Sequence, residues 1–295
     1  MPELPEVETT VKGLSKKVLK RTFINVWSDW EKLVKKPKDF KFFKKELNGK
    51  SINKVWRRAK NVIFELSDGY SLLVHQKMTG HLMVGRWKLK NKKWKPIKKG
   101  PLEEKINTFL HIIFFLDNGD MIALSDVRKF AKVELWKTAD LLNSLEFKKL
   151  GPEPLEKSFT FKKFKEVLKD KKGKIKQVLM VPEVIAGIGN IYSNEALWWS
   201  KIHPEKSTIK LSEKEFKSLY SAVVKVLKMG VSLRGESFSD YRDVEGKKGH
   251  FDTERRVYKR EKERCQRCKT MIIRKKFGGR SAFFCPKCQI LNSKS

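Results

Sequence analysis

Four cysteines lie close together near the end of this 295-residue chain, as two Cys-x-x-Cys pairs, Cys265 with Cys268 and Cys285 with Cys288. Four thiolates at this spacing are typical of a tetrahedral zinc site that closes across a hairpin. Because four protein ligands leave no open position, we expect one structural Zn²⁺, whose binding energy folds the segment around it. So few cysteines in so long a chain exclude a disulfide scaffold.

The chain carries a large excess of positive charge. It contains 67 Lys and Arg residues against 34 Asp and Glu residues, a formal net charge of +33 at pH 7. Such charge repels itself and destabilises a compact state, which indicates a polyanionic partner, either nucleic acid or an anionic membrane surface. A merely solvated Lys-rich surface is the alternative, and we favour nucleic acid. The 40% content of hydrophobic residues excludes wholesale disorder.

The sequence has no recognisable membrane or export segment. No apolar run approaches the roughly 20 residues that a bilayer-spanning helix needs. The first residues, MPELPEVETT, are acidic and polar, whereas a signal peptide is basic and then apolar. We therefore expect a soluble, intracellular protein that is cytoplasmic and, given its charge, associated with the nucleoid.

The first half of the chain has the pattern of one helix followed by strands. In residues 5–20, apolar residues recur at helical spacing from Val7 to Val18, with acidic residues early and lysines late, as the helix dipole prefers. From about residue 22 to 136 the pattern favours strands, and two strand pairs flank Asp-Gly or Asn-Gly turns. The Lys-rich, Pro-containing stretch at 86–105 is predicted to be an exposed loop.

A Gly-Pro-Glu-Pro sequence at 151–154 interrupts the chain, and helical periodicity follows it over residues 158–229. A polar, Gly-bearing stretch then leads to the cysteine segment. The predicted fold class is a multidomain α+β protein without internal repeats. We predict four parts: an N-terminal β-rich domain with an N-terminal helix at 1–136, a linker at 137–157, a helical domain at 158–250 and a zinc-binding hairpin at 251–295.

The N-terminus carries groups suited to covalent catalysis. Removal of Met1, which a small second residue generally permits, exposes the secondary amine of Pro2, and an α-amino group titrates far below a lysine. Attack of that amine on a sugar C1′ gives a cationic iminium, which acidifies the C2′ proton and favours elimination. Glu3 and Glu6 can face one side of the first helical turn, one as general acid and base, the other orienting the amine. Alternatively, Pro2 and both glutamates only start the helix.

Four motifs, in order along the chain, resemble those of the formamidopyrimidine-DNA glycosylase (Fpg, MutM) family within the Fpg/Nei group. They are MPELPEVETT at the N-terminus, LGPEPL at 150–155, AGIGNIYSNEALW at 186–198 and the terminal CPKCQ. The resemblance implies an N-terminal β-sandwich, a helix–two-turn–helix DNA-binding domain and a zinc finger. It also implies a base-excision-repair enzyme, a DNA glycosylase and apurinic/apyrimidinic-site lyase, acting as a monomer on double-stranded DNA. Such an enzyme excises oxidised purines, 8-oxoguanine and formamidopyrimidines, and cleaves the strand by β,δ-elimination.

The resemblance implies catalytic roles for residues within the motifs. Pro2 would be the Schiff-base nucleophile, Glu3 the proton-transfer carboxylate and Glu6 the supporting acid. Lys60, which follows a basic run and begins a predicted strand, would lie beside the nucleophile and bind phosphate, although a solvated charge is the ordinary role of such a lysine. Arg280, between the cysteine pairs, would reach phosphates beside the lesion, and solubility is the alternative for that basic stretch.

The resemblance also implies DNA-binding residues. Met78, Arg128 and Phe130 match residues that fill the gap left when a glycosylase takes the damaged nucleotide out of the stack. An isolated Met or Phe is otherwise more often a core residue. Lys176 and Asn190 would hold phosphates that flank the flipped nucleotide, although the Gly-x-Gly-Asn sequence could simply begin a helix.

One loop has two interpretations, and the sequence departs from the family pattern at three places. Residues 231–249 match in position the loop that closes over an extruded base, or they form an ordinary linker. Ala131 replaces the usual glycine, Val181-Pro182-Glu183 replaces the usual Leu-Asp-Gln, and Lys259 stands where glycine is common.

Several other functions compete with glycosylase activity on purines. The nearest is an endonuclease VIII-like glycosylase for oxidised pyrimidines, but the leucine in the PELPE sequence is typical of the purine-directed branch. A non-catalytic, basic zinc-finger DNA-binding protein is a second possibility, and a zinc-ribbon partner of RNA or the ribosome is a third. The presence of Pro2, Glu3, Glu6 and Lys60 favours the enzyme, because a binding protein needs none of them.

Overall fold

The computed structural model describes residues 1–237 and 240–291 and divides into two compact units. The first comprises Met1–Lys148 with Leu233–Asp252, and the second comprises Lys149–Ser232 with the chain from Thr253 onward. The sequence-based division had grouped the segment after residue 232 with the helices. Phe238 and Ser239, within the predicted base-covering loop, and residues 292–295, at the end of the predicted zinc-binding segment, lie outside the described residues.

Two helices flank the strands of the first unit. Helix α1 (Leu4–Val18) carries Pro5 in its first turn and lysines in its last, and its buried stripe is the one that the sequence predicted. Helix α2 (Phe40–Leu47) begins after Asp39, whose carboxylate accepts the N–H of Phe42 at 2.7 Å. This side chain satisfies one of the helix's otherwise unpaired N–H groups.

Two sheets form the β-sandwich that the resemblance implied. The four-stranded sheet contains, in spatial order, β1 (Phe23–Ser28), β9 (Leu110–Leu116), β10 (Met121–Ser125) and β6 (His81–Gly85). The five-stranded sheet contains β2 (Val34–Lys36), β11 (Lys132–Lys137), β5 (Tyr70–His75), β4 (Asn61–Leu66) and β3 (Ile52–Arg58). Among the strands of these two sheets, all within the described residues, β2 and β11 are the one pair that runs parallel. Alternate residues of both sheets share one core with the buried stripe of α1, as period-2 strands require.

The outer face of the five-stranded sheet is covered by helices α3 (Thr138–Asn143) and α4 (Leu145–Lys148). Leu141 and Phe147 of these helices pack against residues of β4 and β5. The predicted linker therefore begins with two short helices that belong to the first unit.

The outer face of the four-stranded sheet is covered by a hairpin that the sequence analysis missed. Strands β7 (Trp87–Lys90) and β8 (Lys93–Pro96) pair in antiparallel register, so the prediction of an exposed loop was wrong for this segment. The turn residues Asn91 and Lys92 have φ values of +50° and +60°, as a two-residue type I′ hairpin turn requires. Its two tryptophans join a small apolar cluster on the sheet.

The second unit is helical, with a terminal hairpin. Its helices are α5 (Phe161–Leu168), α6 (Ile175–Leu179), α7 (Asn190–Trp199) and α8 (Glu213–Ser232), and its hairpin strands are β12 (Ile273–Phe277) and β13 (Arg280–Phe284). The rings of Phe159, Phe164 and Tyr220 pack together between α5 and α8, with centroids 5.7–5.9 Å apart. Within the described ranges, no helix combines the length and apolar character needed to cross a membrane.

Candidate active site and nucleic-acid-binding residues

Glu6 joins the start of the chain to the segment at 233–252 of the same unit. Its two carboxylate oxygens accept the backbone N–H groups of Glu3 and Glu236, each at 2.7 Å. The Tyr241 hydroxyl donates to the Glu6 carbonyl at 3.0 Å. Gly235 has φ +85°, and a Cβ there would lie 2.8 Å from the Glu6 side chain. A carboxylate at position 6 and a glycine at position 235 are therefore both needed for this contact.

The environment of the amino terminus favours a neutral amine. Burial lowers the pKa of the Met1 amino group, and the positive charge of Lys60 lowers it further. The negative charges of Glu3, Glu6 and Asp240 act in the opposite direction, with burial the larger effect. Desolvation disfavours the charged form of an amine. The structure thus brings Glu3, Glu6 and Lys60 together around the beginning of the chain, as the resemblance implied.

Lys60 lies in the tight turn between β3 and β4, one residue before the strand it was predicted to begin. The neighbouring His75, which the sequence analysis did not single out, ends β5 and pairs with Asn61. Burial and the nearby charges of Lys77 and Lys60 lower the pKa of His75 to about 3, and its Nδ1 accepts the Lys77 N–H at 2.9 Å. His75 is therefore a neutral imidazole at physiological pH. The position of a histidine at the end of an apolar strand was the sign in the sequence that could have drawn attention to His75.

Asp126 organises the two loops that carry the predicted gap-filling residues. Its buried carboxylate accepts the N–H groups of Arg128 at 3.2 Å, Phe130 at 2.7 Å and Ala131 at 2.8 Å. The Thr79 hydroxyl of the other loop donates to the same carboxylate. One side chain therefore fixes the conformation of both loops, and the sequence analysis did not recognise this role.

The predicted gap-filling side chains point away from the core. Met78 is 38% exposed and Phe130 is 52% exposed, so the alternative of two ordinary core residues is wrong. The Arg128 guanidinium lies 4.6 Å from the centroid of the Phe130 ring. Such a cation–π contact keeps the two side chains together on the surface.

Lys176 and Asn190, which the resemblance paired, are in direct contact in the second unit. The buried Lys176 ammonium on α6 donates to Asn190 Oδ1 at 2.5 Å. Asn190 is the first residue of α7, after Gly189. Because the Asn190 oxygen already accepts the lysine proton, the Nδ2 group of the same amide is the donor that this residue presents.

The turn of the terminal hairpin lies against α6. A Cβ on Gly278, which has φ +55°, would meet the end of the Gln177 side chain of α6 at 1.9 Å, so a larger residue here would be strained and would displace Gln177. Glu205 pairs with Lys275 of the hairpin at 2.6 Å. Arg280, at the start of β13, is exposed. The exposed arginine is thus carried by a turn that packs beside the helix of Lys176.

Helix α7 holds the segment that leads to the cysteines. The buried Glu195 carboxylate accepts the backbone N–H groups of residues 256–258 at 2.8–3.0 Å. Burial raises the pKa of Glu195, and the three N–H donors act in the opposite direction. Asn194 accepts the Phe283 N–H at 2.8 Å. Glu195 is the one charged residue of α7, and this was the available sign of its role.

The four cysteine sulfur atoms lie within 4.8 Å of one another. The Sγ atoms of Cys265 and Cys288 are 4.0 Å apart, and those of Cys268 and Cys285 are 3.3 Å apart. A tetrahedral site with Zn–S bonds of about 2.3 Å has S–S edges of about 3.8 Å, so the cluster fits the metal. The Cys288 N–H donates to Cys285 Sγ at 3.4 Å. The cysteines form one structural zinc site.

Metal analysis of purified, reduced protein should find one zinc per chain. The Cys285→Ser variant should hold substantially less zinc, because a serine hydroxyl is a poorer ligand than a thiolate. Inductively coupled plasma mass spectrometry measures both. Iron in place of zinc, or full zinc occupancy in the Cys285→Ser variant, would contradict this assignment.

Comparison with known proteins identifies all three parts of the chain. Residues 1–133 match the formamidopyrimidine-DNA glycosylase N-terminal domain, residues 150–242 match the H2TH domain of the same enzymes, and residues 262–290 match the zinc finger found in FPG and IleRS. The chain belongs to the formamidopyrimidine-DNA glycosylase family. The resemblance drawn from four short motifs is therefore confirmed.

Relatives in the formamidopyrimidine-DNA glycosylase family cover the whole chain. The enzyme of Ligilactobacillus salivarius is 35% identical over 293 residues, which are 99% of this chain and 100% of that protein. The enzyme of Pelotomaculum thermopropionicum is 37% identical over 292 residues, 98% of this chain and 99% of that protein. Two solved structures of Lactococcus lactis Fpg, with DNA containing an abasic site and with DNA containing N7-benzyl-Fapy-dG, superpose with TM-scores of 0.85. Each is 34% identical to this chain, of which it covers 98%, and each is matched over 100% of its own length.

The structure shows the local backbone at each departure from the family pattern of formamidopyrimidine-DNA glycosylases. Ala131 is buried and is not among the residues with positive φ, so its backbone conformation does not require the usual glycine. The Pro182 carbonyl, in the divergent 181–183 segment, accepts the Gly151 N–H at 2.9 Å. Lys259 has φ +54°, the left-handed conformation that favours glycine.

Proposed function

We propose that this protein is a DNA glycosylase and apurinic/apyrimidinic-site lyase that excises oxidised purines from double-stranded DNA and acts as a single chain. The observation that carries the proposal is the desolvated amino terminus, with Glu3, Glu6 and Lys60 around it. The Lactococcus Fpg structures, with DNA containing N7-benzyl-Fapy-dG or an abasic site, support the choice of substrate. We further propose that the protein works in the cytoplasm at the nucleoid, where such DNA is found.

The proposed reaction begins with the secondary amine of Pro2, after removal of Met1. Its lone pair forms a bond to C1′ as the glycosidic bond to the damaged base breaks, and the departing base takes up the proton that the amine nitrogen then loses. Glu3 protonates the sugar ring oxygen, so that the ring opens to the iminium. The iminium withdraws electrons from C2′, whose proton passes to the Glu3 carboxylate left by the previous step, and the 3′ phosphate leaves by β-elimination. A second elimination releases the 5′ phosphate.

Glu6 and Lys60 are proposed to support this chemistry without bonding to the substrate's carbon atoms. Glu6 binds the Glu3 N–H and so sets the position of the preceding proline. The Lys60 ammonium disfavours protonation of the amine and supplies positive charge for a phosphate. The proposed roles explain why both groups lie near the chain's beginning.

We propose two kinds of DNA contact. Asn190 and Arg280 bind phosphates through their N–H donors, and Lys176, whose buried ammonium holds the Asn190 amide, adds positive charge to the same phosphate site. Met78, Arg128 and Phe130 occupy the gap that the extruded nucleotide leaves, since they are partly or fully exposed on loops that Asp126 holds in place. In this assignment the Arg128 donors bind the base opposite the gap.

Alanine variants of the two groups of residues should lose different properties. Arg280→Ala should weaken binding to damaged and undamaged duplexes alike and reduce the salt slope by about one, because one phosphate contact is lost. Phe130→Ala should leave binding to undamaged duplex nearly unchanged but slow excision, because the extruded state loses its wedge. Salt titrations and single-turnover excision measure both effects. An equal loss of undamaged-duplex affinity in the two variants would contradict the division.

Borohydride trapping tests the proposed function and separates it from the alternatives. The protein should be trapped efficiently on a duplex containing 8-oxoguanine and poorly on a matched duplex containing thymine glycol. The reverse order would make it a glycosylase for oxidised pyrimidines. Tight binding to duplex DNA without any trapping would make it a non-catalytic DNA-binding protein.

A further inference from the structure

The hairpin of β7 and β8 has two chemically different faces. Register pairs Lys88 with Lys95 and Lys90 with Lys93. Because side chains alternate along a strand, these four lysines share one face of the hairpin. The opposite face carries the paired residues Trp87 and Pro96, and Leu89 and Trp94. Four positive charges thus share one face of the two-stranded hairpin.

The apolar face anchors the hairpin. Trp87 is 2% exposed and packs with residues of β6, β9 and β10 on the outer face of the four-stranded sheet. The Trp94 ring lies 5.5 Å from Trp27 and 5.8 Å from Phe115, in edge-to-face geometry. The lysine face is therefore held by packed aromatic rings.

No acidic residue neutralises the lysine face within 1–237 and 240–291. Lys88, Lys90, Lys93 and Lys95 are all exposed, and none of them forms an ion pair among these residues. Like charges directly opposite one another destabilise a sheet. By contrast, Arg86 at the base of the hairpin pairs with Asp120 at 2.8 Å. The fold thus maintains two opposed lysine pairs at a cost in stability, which a polyanionic ligand would remove.

We propose that this lysine face binds the phosphate backbone of double-stranded DNA, at a contact region separate from the residues that act on the damaged nucleotide. Lysines two residues apart on an antiparallel strand lie about 6.8 Å apart. This distance resembles the spacing of successive phosphates along one strand of DNA. Single-stranded nucleic acid is usually bound by exposed aromatic rings, whereas both tryptophans here face the sheet. The choice of DNA as ligand rests on the proposed function.

The separation from the catalytic residues follows from the sandwich. The buried stripe of α1, the helix that contains Glu6, packs with the inner faces of the two sheets. The hairpin packs on the outer face of the four-stranded sheet. Replacing the hairpin lysines with uncharged residues should therefore change the affinity for DNA without changing the rate of the chemical step.

The test compares two quadruple variants of the full chain. One replaces Lys88, Lys90, Lys93 and Lys95 with Gln. The control replaces Lys38, Lys41, Lys44 and Lys45 with Gln. The control lysines are exposed and lie on or just before α2, and their replacement removes the same amount of charge. Fluorescence anisotropy with an undamaged 40-base-pair duplex should show a salt slope reduced by about two to four in the hairpin variant, since each phosphate contact contributes about 0.9.

At about 50 mM salt, the hairpin variant should bind this duplex at least about tenfold more weakly, and the control within about twofold of wild type. Equal losses in both variants would show that only bulk charge matters and would overturn the proposal, as would no loss. A larger loss of affinity for single-stranded RNA or for anionic phosphatidylglycerol vesicles than for the duplex would also overturn it. Replacement of the same four lysines by Arg should preserve binding, and a loss in that variant would contradict a phosphate contact.

The experiment distinguishes this proposal from the proposed function. Affinity is measured on undamaged DNA, so it is informative even if the wild-type protein excises nothing. Single-turnover release of 8-oxoguanine from saturated complexes should be the same in the wild-type and hairpin-variant proteins. A slower chemical step in the hairpin variant would place the lysines within the catalytic machinery and contradict a separate contact region.

Discussion

Treatment with borohydride in the presence of a duplex containing 8-oxoguanine should leave DNA covalently attached to residue 2. Reduction converts the iminium into a stable amine. An iminium of this kind needs a secondary amine, which only an N-terminal proline freed of Met1 supplies. Burial lowers the pKa of the Met1 amino group, and the charge of Lys60 lowers it further. We expect the same surroundings to favour the neutral, nucleophilic form of the Pro2 amine. Peptide mapping by mass spectrometry locates the attachment. Lys60→Arg, which keeps the positive charge, should still be trapped at residue 2.

Retention of the initiator methionine provides the strongest control. In a chain that keeps Met1, the Pro2 nitrogen is part of a peptide bond and has no nucleophilic lone pair. Trapping should then fall to background, while binding to an undamaged duplex persists. Attachment of DNA to Lys60 or another lysine in the wild-type protein would show that Pro2 is not the nucleophile.

The Glu3→Gln variant should lose base excision by a factor of about 10²–10⁴, the usual contribution of a positioned acid or base. Glutamine is nearly isosteric with glutamate but transfers no proton, and Glu3 is 2% exposed, so a substitute of similar shape preserves packing. Affinity for an uncleavable abasic-site duplex should stay within about threefold of wild type, because only proton transfer is removed. Single-turnover excision and equilibrium binding measure the two quantities.

Glu8→Gln is the matched control for Glu3→Gln. Glu8 lies on the same helix and pairs with Arg57 at 2.9 Å, but it is not among the charges that act on the amino terminus. Its substitution should change excision by less than about threefold. If Glu3→Gln lowered excision and affinity by equal factors, the side chain would be structural and the proton-transfer role would be wrong.

The fold was predictable where one periodicity dominates. Helix α1 and the hairpins of β4 with β5 and of β9 with β10 have clear apolar spacing and Gly-containing turns. The β7–β8 hairpin was missed because lysine occupies every outward position and its turn is Asn91-Lys92, without glycine. A strand sequence that is rich in lysine and has few apolar residues between the lysines resembles the sequence of a loop.

The candidate site was predictable only in part. The motif residues, Glu6 among them, were found through resemblance, whereas the long-range contacts that position the site were not predicted. Glu6 contacts Glu236, 230 positions away, and Glu195 contacts residues 61–63 positions away. Asp126 acts through backbone N–H groups that every residue type possesses. Long-range contacts to backbone atoms leave no mark in a local sequence pattern.

The contribution of residues 233–252 to the first unit has a consequence for synthesis of the protein on the ribosome. Val244 belongs to the sandwich core, and its carbonyl accepts the Val84 N–H at 2.8 Å. The nascent first 148 residues therefore lack part of their core and the donor that binds Glu6. About a hundred further residues must emerge before these contacts form, a delay of about 5–20 s at ordinary elongation rates. A truncated chain that ends before this segment cannot complete the surroundings of its own amino terminus.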